Sequence, residues 1–250
     1  MRRVAVAVIA CGLFLSLPLT AANVLRGDRN SRHFYLTLDA HNDPRGLPEV
    51  LEVLRCHQVR ATFFITGYFL ENFPESAREI NRQGHLAANH TWTHSRSYST
   101  AVLRAELERT EQLWWRLTGT RMEKLWRAPY LQHSGRSWLV SGMHRQGYTH
   151  VDVTLGAKDW VRVFEPGYLD NARFLRAFQG GFDFRRFARM IVCGRSLGLV
   201  RGKEPAYQGV IMLYHLGRFR PEGLDFIFSM EQVILFLKRS GYEFRDCRDF

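Results

Sequence analysis

The chain has 250 residues, a formal net charge of +11, and a composition in which 46% of the residues are hydrophobic. That length suits a single α/β barrel domain, and the hydrophobic content is enough to build a large core. A GxGxxG fingerprint, a Walker-type phosphate loop and a recognisable nucleic-acid motif are all missing from the sequence. Nucleotide-dependent chemistry and nucleic-acid binding therefore lack support.

The first residues have the three parts of a secretory signal peptide. Met1-Arg2-Arg3 is basic, residues 4–19 are mostly apolar, and Thr20-Ala21-Ala22 supplies small residues for cleavage. The apolar run is shorter than the roughly 20 residues that a membrane span needs. We expect residues 1–22 to be a leader and the protein to be exported, to the periplasm or outside the cell, without a stable membrane span. A retained membrane anchor is the alternative.

From residue 33 onward, predicted strands alternate with predicted helices. Apolar, β-branched and aromatic runs predict the strands, and apolar residues at helical spacing predict the helices. The predicted strands are 33–38, 60–66, 84–89, 124–126, 148–153, 210–214 and 242–244, and the predicted helices are 46–57, 74–82, 100–117, 137–146 and 229–238. This alternation predicts an α/β fold, a distorted (β/α) barrel of parallel strands with outer helices over residues 33–250.

One segment, residues 161–208, interrupts this rhythm and is rich in phenylalanine and arginine. One interpretation is a set of cationic helices with a solvated basic face. The other is a lid that grips an acidic glycan, because arginine binds carboxylate and phosphate in a bidentate manner and aromatic faces suit sugar rings. Arg185, Arg186 and Arg189 are the residues that distinguish the two interpretations.

Short polar motifs stand where several predicted strands end. Barrel enzymes keep their chemistry at the C-terminal ends of parallel strands. Carboxylates, imidazoles and an arginine together are typical of a metal-assisted hydrolase. The motifs are Thr37-Leu38-Asp39, His90-Thr91-Trp92-Thr93-His94, Arg127-Ala128-Pro129-Tyr130, Asp159-Trp160 and Leu213-Tyr214-His215.

His90 and His94 are the first candidate metal ligands. On a helix or helical turn, residues four apart place both imidazoles on one face, where both reach one zinc ion. A pair at this spacing also arises by chance, so the surrounding motifs carry much of the inference.

In their order, these motifs resemble the polysaccharide deacetylase family, the NodB homology domain. That family carries T-F-D-D-G, H-[ST]-x-x-H, R-x-P-Y, D-W and L-x-H, and the resemblance covers roughly residues 34–250 apart from the insertion. Connecting phrases are similar as well: Ala61-Thr62-Phe63-Phe64, Gly84-His85 and Gly241-Tyr242.

The resemblance implies a role for each matching position. Asp39 would be the general base, Arg127 would orient Asp39 and keep it ionised, and the backbone amide of Tyr130 would stabilise the oxyanion. His215 would be the acid that protonates the leaving group, with Asp159 holding its imidazole charged. Trp160 and Leu213 would wall the pocket for the acetyl methyl group.

Ala40 departs from the family pattern, which has a second aspartate, a metal ligand, at this position. Three possibilities stay open. His41 supplies the third ligand and makes a three-histidine zinc site, which is a known catalytic set. Alternatively, Asp43 reaches in from the loop, or the site has two protein ligands and little metal affinity.

The resemblance thus implies an exported hydrolase that depends on a divalent metal, zinc first, and removes acetyl groups from an acylated polysaccharide or glycan such as peptidoglycan. The alternative is a degenerate member of the family that binds a glycan without hydrolysing it. We expect no nucleic-acid partner.

Overall fold

A computed structural model describes residues 23–131, 137–157, 207–217 and 225–250. Within these ranges, short strands alternate with helices along the chain. The strands are β1 Asn23–Val24, β2 His33–Ala40, β3 Thr62–Ile65, β4 Leu86–Asn89, β5 Leu125–Trp126, β6 Thr149–Val151, β7 Leu155–Gly156, β8 Val210–His215 and β9 Glu243–Arg245; the helices are α1 Leu47–Cys56, α2 Gly67–Asn72, α3 Pro74–Arg82, α4 Thr100–Thr118, α5 Ser137–His144 and α6 Asp225–Arg239.

The strands form one parallel sheet in the order β1-β6-β5-β4-β3-β2-β8-β7, and β9 also pairs with β2. Residues 152–154 link the two ends of this order. The Asp152 amide donates to the Val24 carbonyl (2.9 Å), and the Thr154 amide donates to the Ile211 carbonyl (2.9 Å). The sheet therefore curves into the distorted barrel that the sequence predicts.

The two faces of the strands bury different surroundings because side chains alternate along each strand. Leu36, Leu38 and Ala40 belong to the large apolar cluster that also contains the buried faces of the outer helices. Tyr35 and Phe64 belong to a smaller cluster on the opposite face. Thr37 and Asp39 alternate with the first set, so they share the inner face with the second.

Local signals explain where the helices around the site begin and end. The Thr66 hydroxyl caps α2 by accepting from the Phe69 amide, and the Ser99 hydroxyl caps α4 by accepting from the Val102 amide. Gly119 ends α4 in the left-handed conformation, with φ 70°, which glycine adopts without steric cost.

Most predicted elements are present with small shifts of their ends, but the sequence prediction omitted β1, α2 and β7. These are the short elements, for which a periodic pattern has too few residues to register. The proposed leader and residues 161–206 of the insertion lie outside the described residues. Among those that are described, no helix is both long and apolar enough to cross a membrane.

Candidate functional site

Asp39 and His215 lie side by side at the C-terminal ends of β2 and β8. The two residues are register partners in the parallel pair, and the Leu216 amide donates to the Asp39 carbonyl (2.9 Å). Asp39 is buried, whereas His215 is partly exposed. Leu213, which is buried, is two residues before His215 on the same face of β8. An inner carboxylate thus lies next to an imidazole that solvent reaches.

Arg127 follows β5 and is fully buried. Its Nη1 donates to Asp39 Oδ1 (2.8 Å) and to the Thr37 hydroxyl (2.9 Å), and its Nε donates to the Val151 carbonyl (3.0 Å). Burial alone would raise the pKa of the Asp39 carboxyl, but the charge of Arg127 and its hydrogen bond to the carboxylate outweigh burial and hold that pKa below its usual range. Asp39 is therefore an ionised, oriented carboxylate.

The His90 ring has a defined tautomer. Its Nδ1 lies 3.0 Å from the Arg127 carbonyl oxygen, which only accepts, so Nδ1 carries the proton. Burial lowers the pKa of His90 more than the Asp39 charge raises it, so the ring is neutral at pH 7. Its bare Nε2 faces Asp39 Oδ2 at 3.5 Å. Two acceptors that face each other in a buried site suit a cation between or beside them.

The His94 and His41 rings complete a histidine cluster beside His90. The ring of His94 stacks on His41 with centroids 4.2 Å apart and meets His90 edge-on at 4.8 Å. His94 Nδ1 is buried without a hydrogen-bond partner. Burial, together with the neighbouring histidines, lowers the pKa of His94 to about 2. His94 is thus a neutral imidazole with an unused buried nitrogen, a state that suits a metal ligand.

The segment that carries both histidines is a loop and not the helix or helical turn that the spacing argument considered. Thr91 and His94 have positive φ angles of 68° and 55°, a conformation that is sparsely populated for residues with a side chain. The ring contact arises from this folded-back loop rather than from helical periodicity. Such outliers concentrate at functional sites.

Tyr130 lies at the rim of the site. It has the left-handed angles φ 57° and ψ 14°, and its side chain is 49% exposed. Its ring meets the His94 ring edge-on, with centroids 4.6 Å apart, and the Arg96 guanidinium lies 4.0 Å from the centroid of the Tyr130 ring. The loop after β5 therefore borders the histidine cluster.

Ala40 and Asp43, the other two positions that bear on the third metal ligand, contact groups outside the histidine cluster. Ala40 is fully buried in the outer apolar cluster. The Asp43 carboxylate accepts from the Arg45 backbone amide (2.9 Å) and from Arg45 Nε (2.7 Å). Of the candidates for a third ligand, His41 is the one whose ring contacts His94.

Two residues of the site carry no motif, and the sequence reasoning missed them. Glu106, on α4, accepts from the Trp92 amide (2.9 Å) and from the Thr93 amide (3.1 Å), and so fixes the loop of residues 90–94 that carries both histidines. His150, on β6, accepts from the Ala128 amide (3.1 Å). Neither follows from sequence, because each acts on a segment that is distant along the chain.

Asp159 and Trp160 lie outside the described residues. Residues 194–198 also lie outside the described residues; their sequence, Gly-Arg-Ser-Leu-Gly, has the spacing of the nucleophile elbow of serine esterases. Within the described ranges, no group of three or more His, Cys, Asp or Glu side chains already gathers its donor atoms as around a metal ion.

A family model described as polysaccharide deacetylase matches residues 26–151 of this chain. The chain belongs to the polysaccharide deacetylase family. It is 24% identical over 226 residues to the peptidoglycan-N-acetylmuramic acid deacetylase PdaA of Bacillus subtilis, an alignment that covers 89% of this chain and 73% of PdaA. It is 33% identical over 146 residues to a peptidoglycan-N-acetylglucosamine deacetylase of Bacillus cereus, covering 57% of this chain and 51% of that relative.

This chain therefore spans about half the length of that second relative. Among solved structures, a CE4 family pseudoenzyme from Bacillus anthracis has the same fold, with a TM-score of 0.66, 21% identity, and coverage of 92% of this chain and 68% of that one. A mutant of that pseudoenzyme has restored enzymatic activity. The distorted barrel predicted from sequence is thus confirmed as the fold of this deacetylase family.

Proposed function

We propose that this protein hydrolyses acetyl groups on an acylated glycan, as an amide or an ester. The observation that carries the proposal is the convergence of Asp39, His90, Arg127 and His215 at the C-terminal ends of β2, β4, β5 and β8. A buried ionised carboxylate next to a partly exposed imidazole supplies a base and an acid at one place.

Asp39 is the proposed general base. Arg127 holds Oδ1, so Oδ2 is the oxygen that accepts a proton from the attacking water. Because His90 is neutral at pH 7, Arg127 is the cation that keeps this carboxyl ionised. The Arg127 guanidinium is in turn fixed by Thr37 and by the Val151 carbonyl, so the geometry is set before substrate binds.

His215 is the proposed general acid. Its position beside Asp39 lets it give a proton to the leaving nitrogen or oxygen on the other side of the acetyl carbon. Asp159 would keep that imidazole charged. The backbone amide of Tyr130 would stabilise the oxyanion, and Leu213 with Trp160 would bound the methyl pocket.

A divalent metal, zinc first, fits the histidine cluster. His90 Nε2 is bare and faces a carboxylate, and His94 Nδ1 is buried without a partner. We assign His90, His94 and His41 as the residues that would hold it. When bound, such an ion supplies Lewis acidity to the acetyl carbonyl and to the water. The donor set is a three-histidine set, which zinc enzymes use.

The named relatives support the proposed substrate class. Relatives are named for peptidoglycan, chitooligosaccharides and chitin. We propose an acetylated glycan of this kind. An acidic glycan gripped by Arg185, Arg186 and Arg189 remains a narrower version, in which affinity falls with added salt because exposed charges are screened.

A glycan-binding protein without hydrolysis is the second candidate. The observation that favours it is Ala40, a buried apolar residue where the family has its second carboxylate. A pseudoenzyme with the same fold demonstrates that the family includes inactive members.

Export is proposed on the leader-like residues 1–22 alone. N-terminal sequencing of the mature protein from the cell envelope or medium tests it, and we expect a start near Asn23. An intact Met1 on a membrane-bound protein would support the anchor instead.

The deciding experiment assays purified protein, loaded with zinc and stripped by chelator, on acetylated peptidoglycan, chitin oligomers and O-acetylated polysaccharide. We expect acetate release that requires zinc and is absent in Asp39→Asn. Zinc-loaded protein that binds one of these glycans without releasing acetate would establish the second candidate.

A further inference from the structure

His150 is a buried histidine that the mechanism above does not use. It lies on β6, is fully buried, and is the register partner of Asn23 on β1 and of Trp126 on β5. Its ring also meets the Trp126 indole edge-on at 4.6 Å. A polar ring at such a place must satisfy both nitrogens inside the protein.

Both ring nitrogens of His150 contact groups that define its tautomer. Nε2 accepts from the Ala128 backbone amide (3.1 Å), which only donates. The proton is therefore on Nδ1, which lies 2.7 Å from Asn23 Oδ1. Asn23 Oδ1 therefore accepts the Nδ1 proton, and the unprotonated Nε2 faces the loop after β5.

The peptide group that His150 holds is the one that also contacts His90. The amide of Ala128 and the carbonyl of Arg127 belong to the same planar peptide. The amide donates to His150 Nε2, and the carbonyl accepts from His90 Nδ1 (3.0 Å). One peptide plane is thus fixed at both ends by imidazoles.

We propose that His150 is a positioning residue for the metal-binding His90, acting through the Arg127–Ala128 peptide, with Asn23 fixing its tautomer. The inference rests on the proposed metal-binding function. If the peptide rotated, the Arg127 carbonyl would leave His90 Nδ1, and the ring would lose the contact that keeps Nε2 bare. Ligating histidines usually have their second nitrogen held in this way, and losing that partner costs about 10–100-fold in metal affinity or activity.

The test compares two substitutions that differ in which nitrogen they mimic. A glutamine carbonyl extends to about the position of Nε2, so His150→Gln can still accept from the Ala128 amide. An asparagine amide reaches only the Nδ1 side, so His150→Asn keeps a partner for Asn23 and loses the Ala128 contact. We expect His150→Asn to raise the zinc Kd about 10–100-fold, and His150→Gln to leave it within about threefold.

His85→Gln is the matched control. His85 is also buried, and its Nδ1 accepts a backbone amide, that of Ala61 (3.4 Å), away from the histidine cluster. We expect His85→Gln to lower Tm without changing the zinc Kd. If His150→Asn lowers Tm and leaves the zinc Kd unchanged, as the control does, the residue is merely structural and the proposal fails.

A second measurement needs neither zinc binding nor activity. Long-range ¹H–¹⁵N correlation spectra of the metal-free protein report which imidazole nitrogen is protonated. We expect the Nδ1–H tautomer for both His90 and His150, and a mixed tautomer for His90 in His150→Asn. A proton on His150 Nε2, or an unchanged His90 in that variant, would overturn the proposal even if the wild type binds no zinc. Absence of zinc binding with the expected tautomers would count against the proposed function alone.

Discussion

At the scale of single residues, the Asp39 carboxyl divides its oxygens between two neighbours. Oδ1 accepts from Arg127, and Oδ2 faces the bare nitrogen of His90. The permanent cation Arg127 therefore gives this carboxylate a fixed orientation and a low pKa. This arrangement keeps a base ionised in a site that is otherwise shielded from water.

The first residue-scale prediction concerns the acid and the base. Asp39→Asn and His215→Ala should each lower kcat by about 10²–10⁴-fold, because each removes a positioned proton-transfer group. Circular dichroism checks that the fold is retained. Near-native kcat in either variant would remove that residue from the mechanism.

The second residue-scale prediction concerns the third metal ligand. His41→Ala should weaken zinc binding about as much as His90→Ala does, because it leaves two protein ligands where catalytic zinc sites have three. Asp43→Ala is the control, since its carboxylate is engaged by Arg45. Zinc titration against a competing chelator gives both values. A larger loss in Asp43→Ala than in His41→Ala would transfer the role to Asp43.

At the scale of elements, helix α4 holds the loop that carries the histidines. The Glu106 carboxylate accepts from two consecutive loop amides, and the Arg109 guanidinium lies 3.5 Å from the centroid of the Trp92 ring. The left-handed residues Thr91 and His94 are thus retained by contacts from a neighbouring helix. Strained conformations persist where the surroundings determine them in this way.

The element-scale prediction uses two glutamates of this helix. Glu106→Ala should lower the free energy of unfolding by about 1–3 kcal/mol, because it leaves loop amides without their acceptor, and it should also weaken zinc binding. Glu108 forms an ion pair with Arg104 near the surface, so Glu108→Ala should lower the free energy of unfolding much less than Glu106→Ala does and leave zinc binding unchanged. Denaturant unfolding and zinc titration measure both. Equal effects of the two substitutions would contradict the proposed role of Glu106.

At the scale of the whole molecule, buried neutral histidines make the stability of the fold depend on pH. Burial, with the nearby Arg60 charge, lowers the pKa of His85 from 6.5 to about 4. Above pH 6.5 the ring is neutral in both the folded and the unfolded state. Between pH 6.5 and 4, only the unfolded chain takes up the proton, so stability is lost as the pH falls through this window.

The whole-molecule prediction follows from that sign. The His85 shift corresponds to about 3 kcal/mol lost between pH 6.5 and 4, at about 1.4 kcal/mol per pKa unit. Denaturant unfolding of wild type and His85→Gln over this range tests it. The variant should lose less stability than wild type as the pH falls, while His94, present in both, keeps its own contribution. Identical pH dependence would show that His85 takes up its proton in the folded state.

The sequence by itself determined the barrel and the set of motif residues at its strand ends. Alternating strand and helix patterns specify parallel pairing, and parallel strands bring their carboxyl ends to one edge. Asp39 and His215 were therefore predictable at the same edge of the sheet, but their pairing as register partners comes from the structure. Arg127 was predictable as the partner of Asp39, because the resemblance assigns it that role.

Only the tertiary structure decided how the histidines meet. The spacing of His90 and His94 would bring their rings together on a helical turn, but here a folded-back loop held by Glu106 does so. The tertiary structure also decided that His41 and not Asp43 contacts the His94 ring, because the Asp43 carboxylate is bound by its neighbour Arg45. No sequence pattern indicates the hydrogen bond from the Arg127–Ala128 peptide to His150. Hydrogen bonds between distant segments follow no sequence periodicity, so they cannot be predicted until the positions of the strands that carry them are known.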